Sequence, residues 1–257
     1  MSISNTFIRF VFAFSFFFIS FAVIAEPTLE EVVVSARKVD ESVQDVPIAM
    51  SVFTSSDISD AGIERPEDFI ALTPNVVMAN TVNVGDTLVT IRGLTSTRDA
   101  ESNFAFVVDG VLQTNPNAFN RELLDIAQIE VLKGPQGALY GRNATSGAIL
   151  ITTKAPSEES ESTAVIGMGV NNASKLQFVN SGKMGDNVYT RFSVSTRETD
   201  GEHTNVYSNL KNVDFFEDTT IRLSLIHISE PTRRNTISYA VFCFKKKRGG
   251  GGGGGGG

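Results

Sequence analysis

Ile129–Pro156 reads IEVLKGPQGALYGRNATSGAILITTKAP, two strand-like runs on either side of a glycine-punctuated loop. Glu130-Val131-Leu132 before the loop and Ile149-Leu150-Ile151-Thr152-Thr153 after it carry the β-branched composition of buried strands. Gly134, Gly137, Gly141 and Gly147 mark places where the backbone calls for a positive φ or a close approach. A nucleotide-binding loop is the first chemistry to test. It needs GxxxxGK followed by Ser or Thr, whereas Gly137 and Gly141 stand too close together and Arg142-Asn143 follows. The stretch is a strand–loop–strand unit without a phosphate cradle.

Outward from it, residues 44–156 read as one small mixed α/β domain, long enough for a modest single core. Ile48–Phe53 is strand-like, and the cap cluster Thr54-Ser55-Ser56-Asp57 opens a short helix. Pro66 begins a second helix, Glu67–Leu72, stopped by Thr73-Pro74. Thr87–Arg92 and Phe104–Asp109 are strand-like, with a turn at Asp109-Gly110. The pattern predicts a short helix over Glu122–Ala127, feeding strand Ile129–Leu132. Polar loops fall at Met78–Asp86, Thr95–Asn103 and Gln113–Asn120.

After the acidic linker Ser157–Glu161 the hydrophobic period becomes two. Ala164, Ile166, Met168 and Val170 alternate with smaller or polar residues, as do Leu176 and Phe178, and Val188, Thr190, Phe192 and Val194. A half-buried soluble sheet and a transmembrane β-barrel share this alternation. Turn lengths favour the barrel: Lys183–Asn187 is short and Gly201–Asp218 long and polar. Three strands and part of a fourth, Thr219–Arg222, are legible. An open sheet cannot satisfy its edges in a bilayer, so the chain reads as a truncated fragment.

The two ends differ from the middle. Phe10–Ala25 is an apolar run behind a single basic residue, Arg9, and closes on Val23-Ile24-Ala25, a signal-peptide pattern for residues 1–25 too short to span a membrane as a helix. From Leu223 the chain reads LSLIHISEPTRRNTISYAVFCFKKKR and then polyglycine. That run resembles the translation of a transposon-type sequencing adapter, so residues 223–257 read as an adapter-derived artefact, expected to be disordered. It holds six Lys/Arg, one acid and the only cysteine, Cys243, which leaves 16 basic and 28 acidic residues before it. An acidic, cysteine-free exported chain excludes disulfide and thiol chemistry and argues against nucleic acid as a partner. Asp109, Asp125 and Glu130 are scattered carboxylates with no His or Cys nearby in sequence, and His203 sits in a loop pattern. Catalytic residues, metal ligands and cofactors are not expected.

The Ile129–Pro156 stretch resembles the hallmark of the plug domain in TonB-dependent outer-membrane receptors. Val46-Pro47-Ile48, Ile91-Arg92-Gly93 and Val108-Asp109-Gly110-Val111 resemble further plug motifs. The resemblance implies an α+β plug domain, with a small mixed sheet and short helices over residues 44–156. The first antiparallel strands of an incomplete transmembrane β-barrel then occupy 157–222. Residues 26–43 become a TonB box and linker. On composition alone Glu30, Glu31, Val32, Val33, Val34, Ser35 and Ala36 read equally as a strand-adding peptide or as a first strand; the resemblance makes them the segment that pairs with TonB. It also implies that Arg92 and Lys133 lock the plug to glutamates of the barrel wall. Asn80, Arg98, Asp99, Asn115 and Phe119 would face a ligand from the apical loops. The implied parent protein takes up a scarce nutrient across the Gram-negative outer membrane, iron-siderophore being the family's commonest assignment. Its partners are TonB, outer-membrane lipid and a small-molecule or chelate ligand. The alternative is a soluble periplasmic plug-like binding module.

Overall fold

The strand and cap signals become elements close to where the sequence puts them. A computed structural model describes residues 32–39, 41–80, 87–97, 101–115, 118–207, 209, 211–227 and 238–249. The signal-peptide reading, Glu30, Glu31, Arg98 and Asp99 lie outside the described residues. Two short strands, β1 (Val33–Val34) and β2 (Glu41–Ser42), pair antiparallel. β3 (Met50–Thr54) runs into α1 (Ser55–Asp60), where the Thr54 hydroxyl accepts the Asp57 N–H and the Asp57 carboxylate accepts the Thr54 N–H. That reciprocal cap satisfies two donors the helix cannot. α2 (Pro66–Ala71) starts on Pro66, whose missing N–H has no partner to lose in a first turn. β4 (Val76–Asn80), β5 (Thr87–Ile91) and β6 (Leu94–Thr95) form a small antiparallel sheet. The predicted loop from Met78 therefore begins as strand.

β7 (Phe104–Val108) turns at Asp109-Gly110, both at positive φ, into β8 (Val111–Leu112). β9 (Ile126–Lys133), the single-turn helix α3 (Gly137–Tyr140) and β10 (Gly147–Thr153) follow. The central sheet has the order β3-β9-β10-β7-β8, with β10 antiparallel to β9 and parallel to β7. It is the mixed sheet the sequence predicts, and both its faces are covered. Ile129, Val131, Ile149 and Ile151 pack with Phe69, Val89 and Ile91, while Leu132, Ala148 and Leu150 pack with Ala36, Ala105 and Val107. Burial on both sides explains why these strands read as near-continuous apolar runs. Each large side chain so buried stabilises the fold by about 1.5–3 kcal/mol.

One predicted element is absent. Glu122–Ala127 forms no helix: Asp125 sits at φ 58° and Ile126 already belongs to β9. Tertiary bonds replace the helical ones, with the Leu123 N–H donating to the Glu64 carbonyl and the Lys154 N–H to that of Asp125.

The second half is an antiparallel meander of β11 (Glu161–Met168), β12 (Ser174–Lys183), β13 (Val188–Thr199), β14 (Phe216–His227) and β15 (Ser238–Gly249). Its polarity is inside out. Ile166 (72 % exposed), Met168 (90 %), Leu176 and Phe178 face outward, while Arg191, Ser193, Ser195, Asp218 and Arg222 are buried. A soluble half-buried sheet would show the reverse, so this geometry separates the two readings that alternation alone leaves open. The sheet is open, as befits an incomplete barrel. The tail departs from expectation: Leu223–His227 continue β14, and β15 pairs along its whole length. Leu223-Ser224-Leu225 keeps the period-two pattern, and Ser238–Phe244 is rich in aromatic and apolar residues. An unpaired edge strand accepts such a segment readily.

Candidate functional site

Two sets of contacts converge on β9. On one face it holds the N-terminal segment. Val33 and Val34 pair with Ser42 and Glu41, and Val34 and Ala36 are buried. Gln128 Nε2 donates to the Val33 carbonyl (3.0 Å), the Ser35 N–H donates to Glu130 Oε1 (3.3 Å), and the Tyr140 hydroxyl donates to the Ala36 carbonyl (2.6 Å). Burial, with the charge of Glu130, pushes the Tyr140 hydroxyl up to about 12, so it stays a donor. The segment is thus docked by side-chain bonds rather than loose, although Val33 is half-exposed.

At its leading end β9 meets the barrel wall. Asp125 Oδ2 accepts from Arg191 Nε (2.6 Å), Ser193 Oγ (2.8 Å) and Arg222 Nη2 (2.6 Å), and Oδ1 accepts from Arg191 Nη2 (2.7 Å). The bidentate geometry is the strongest form of carboxylate–guanidinium pair. Burial pushes the Asp125 carboxyl up, but the bonds from Arg191 and Ser193 and the Arg222 charge outweigh it and hold it below the usual range. Glu64 pairs with Lys175 and with Arg197 (2.9 Å), and Glu122 accepts from Ser195 Oγ (2.7 Å). A cleft of about 720 Å³ lined by Glu64, Glu122, Asp125, Lys175 and Arg191 runs between plug and wall.

Burial raises Glu122, against the Ser195 bond and the charges of Arg197 and Lys175, with the Asp218 carboxylate adding to the rise. A carboxyl raised on folding binds its proton more tightly folded than unfolded. Its contribution to stability is therefore present at low pH and lost as pH climbs past its ordinary 4.5. Asp125 acts in the opposite sense, below its ordinary 3.8. We expect Glu122→Gln to flatten the stability–pH slope above pH 4.5. It should also raise stability at neutral pH by on the order of 1 kcal/mol or less. Urea midpoints at mildly acidic and neutral pH check this, and identical slopes in both proteins would count against it.

The sequence-predicted site residues scatter. Asn80 and Asn115 are exposed, on β4 and on the loop after β8. Phe119 is 2 % exposed and sits edge-on to Phe69, Phe104 and Phe106, so it is a core residue and offers no face to a ligand. Arg92 is exposed at φ 50°, and Lys133 Nζ donates to Ser51 Oγ (3.0 Å) and the Pro74 carbonyl within the plug. Neither makes a bond to a barrel-strand acid among those described. His203 is exposed, as its loop pattern suggests, and its Nδ1 lies 2.7 Å from Asp214. That hydrogen bond and charge raise its affinity for a proton. The Asp125 cluster was missed from sequence. Its one signal is an arginine at a small, polar position of an alternating strand, as at Arg191 beside Ser193 and Ser195.

Residues 42–148 match the family model of the TonB-dependent receptor plug domain. The chain is similar to the pesticin receptor of Yersinia enterocolitica, 28 % identical over 70 % of this chain and 27 % of that protein. It is also similar to the vitamin B12 transporter BtuB of Vibrio vulnificus, 27 % identical over 78 % of this chain and 33 % of that protein. Among solved structures, the ferric yersiniabactin uptake receptor FyuA of Yersinia pestis superposes with a TM-score of 0.65 at 24 % identity, covering 70 % of this chain and 29 % of that one. The chain therefore spans about a quarter to a third of the length of these relatives. A mixed-sheet plug, an inside-out meander beside it and these likenesses agree: residues 42–148 are a TonB-dependent receptor plug domain, followed by strands arranged like the opening of an outer-membrane barrel.

Proposed function

We propose that the chain is the plug-bearing part of a receptor that takes up a scarce nutrient, with Glu30–Ala36 as the segment that TonB grips. The observation that carries this reading is the docked segment itself. Val33-Val34 is extended backbone near a chain terminus, paired in a two-residue ladder with Glu41-Ser42 and held on the plug by a few side-chain bonds. Such a segment can exchange its ladder for a partner's sheet edge at little cost, because main-chain hydrogen bonds are replaced in kind. No covalent chemistry is needed; transport works by a ligand and a partner binding differently to plug-closed and plug-displaced states. The relatives are named for pesticin, vitamin B12 and ferric yersiniabactin. Ligands that unlike support the receptor class and leave the cargo open, a ferric siderophore being one candidate.

Val33→Pro tests the reading. Proline removes an N–H that a partner strand would need. Binding of the chain to the isolated TonB C-terminal domain, followed by titration calorimetry, should weaken about tenfold or more. Unchanged affinity would remove the TonB role from this segment.

A further inference from the structure

We propose that Asp125 is the plug's anchor on the barrel wall, a buried carboxylate clasp to Arg191 of β13 and Arg222 of β14 that must open before the leading end of β9 can leave the wall. The inference rests on how plug and wall meet and not on the identity of any cargo.

Asp125 has both carboxylate oxygens engaged by wall donors. Arg222 also holds the backbone beside it, donating through Nη1 to the Leu124 carbonyl (2.8 Å) and through Nη2 to the Asp125 carbonyl (3.2 Å). The side chains of Asp125, Arg191 and Arg222 are 4 %, 3 % and 6 % exposed. One carboxylate faces two guanidiniums, and Glu161, at 3.2 Å from Arg191, supplies the second negative charge. Removing the Asp125 charge would take from two buried guanidiniums the carboxylate they share, which is far costlier than losing a surface pair.

The polarity is opposite to the lock that the family resemblance implies. There the plug supplies the cations, through Arg92 and Lys133; here it supplies the acid and the wall the cations. The neighbouring contacts repeat the pattern, with Glu64 on Lys175 and Arg197 and Glu122 on Ser195. An interface of this kind specifies position more than it adds stability, because desolvation offsets much of the Coulomb attraction. Water can replace its bonds when it opens, which an apolar interface of the same area would not allow.

The clasp also explains the missing helix. Drawing Asp125 to the wall fixes it at φ 58°, which ends any helix there and starts β9 at Ile126. Gln128 and Glu130, farther along the same strand, hold Val33 and Ser35. A pull on the N-terminal segment is therefore delivered to the strand whose end the clasp secures.

The test is amide hydrogen exchange on the full chain in detergent micelles, comparing the peptide spanning Leu123–Gln128 with the interiors of β13 and β14. Asp125→Asn should speed exchange in that peptide about tenfold or more while the wall strands keep their protection. The exchanged pair, Asp125→Arg with Arg191→Asp, should restore most of the protection. If Asp125→Asn prevents folding, recovery of the folded chain in the exchanged pair supports the clasp equally. Unchanged exchange in Asp125→Asn, or an exchanged pair no better than the single variant, would overturn it.

Discussion

Phe119→Ala should destabilise the plug by about 3–5 kcal/mol, the cost of emptying a buried aromatic site. Phe119 is the hub of the aromatic cluster: its ring lies 5.0 Å from Phe106, 5.2 Å from Phe104 and 6.4 Å from Phe69, at steep angles in each case. Edge-to-face pairs add about 0.5–1.5 kcal/mol each beyond area burial, and alanine loses all of them at once. Phe104 and Phe106 belong to β7 and Phe69 to α2, so one ring ties the sheet to its helical cover. Domains of this size are stable by only about 5–15 kcal/mol, so this one substitution removes a large share of the margin. Phe119→Leu should recover roughly half of the loss, because leucine keeps apolar volume but not ring geometry. The urea midpoint measures both. A ring facing a ligand, as the loop pattern around Gln113–Asn120 suggests, would instead leave stability unchanged.

Gly147→Ala should be nearly as damaging, at about 3 kcal/mol, the upper end of what overpacking costs. A Cβ at Gly147 would overlap the carbonyl oxygen of Leu132 and crowd Ile91 Cδ1 at 3.3 Å. The backbone atom cannot yield, because Gly147 is held on both sides, opposite Lys133 of β9 and Phe104 of β7. The ladder at the centre of the sheet would have to open. Gly141→Ala is the control: it sits at φ 74° with nothing within 4 Å of its would-be Cβ. It should cost only the strain of a positive-φ, extended-ψ conformation (ψ −141°) that glycine alone adopts freely, about 2 kcal/mol. Thermal unfolding of the two variants compares a steric cause with a conformational one. Equal losses, or a Gly147→Ala protein as stable as the parent, would refute the close-approach argument.

The two glycines show what reading the chain could and could not supply. Both are visible in the sequence as punctuation of Ile129–Pro156, and both matter. Which one needs a positive φ and which one needs room is invisible until β9, β10 and β7 are side by side. Thr54–Asp57 and Pro66 place their helices from sequence alone, because capping is settled within a few residues. The Glu122–Ala127 helix fails for the converse reason. Its local propensity is sound, but Asp125 and Glu122 find partners on β13 and β14, more than sixty residues away in the chain. The same distance hides the anchor: nothing near Asp125 in sequence announces two arginines. Phe119 fails likewise, since polar neighbours on a loop say nothing about the pocket of rings into which that loop folds back.

By itself, the sequence determined most element types, the Glu122–Ala127 helix and the loop from Met78 excepted, the switch from a mixed domain to a period-two sheet, and the resemblance to a plug. These rest on local propensity, turn chemistry and periodicity, which a chain carries wherever it goes. Only the tertiary structure decided which face of the meander is buried, that the N-terminal segment is docked, and where plug meets wall. Alternation is symmetric between two faces, and charge pairing depends on distance in space rather than along the chain. Residues as far apart as Asp125 and Arg222 acquire a joint role only when the fold brings them together.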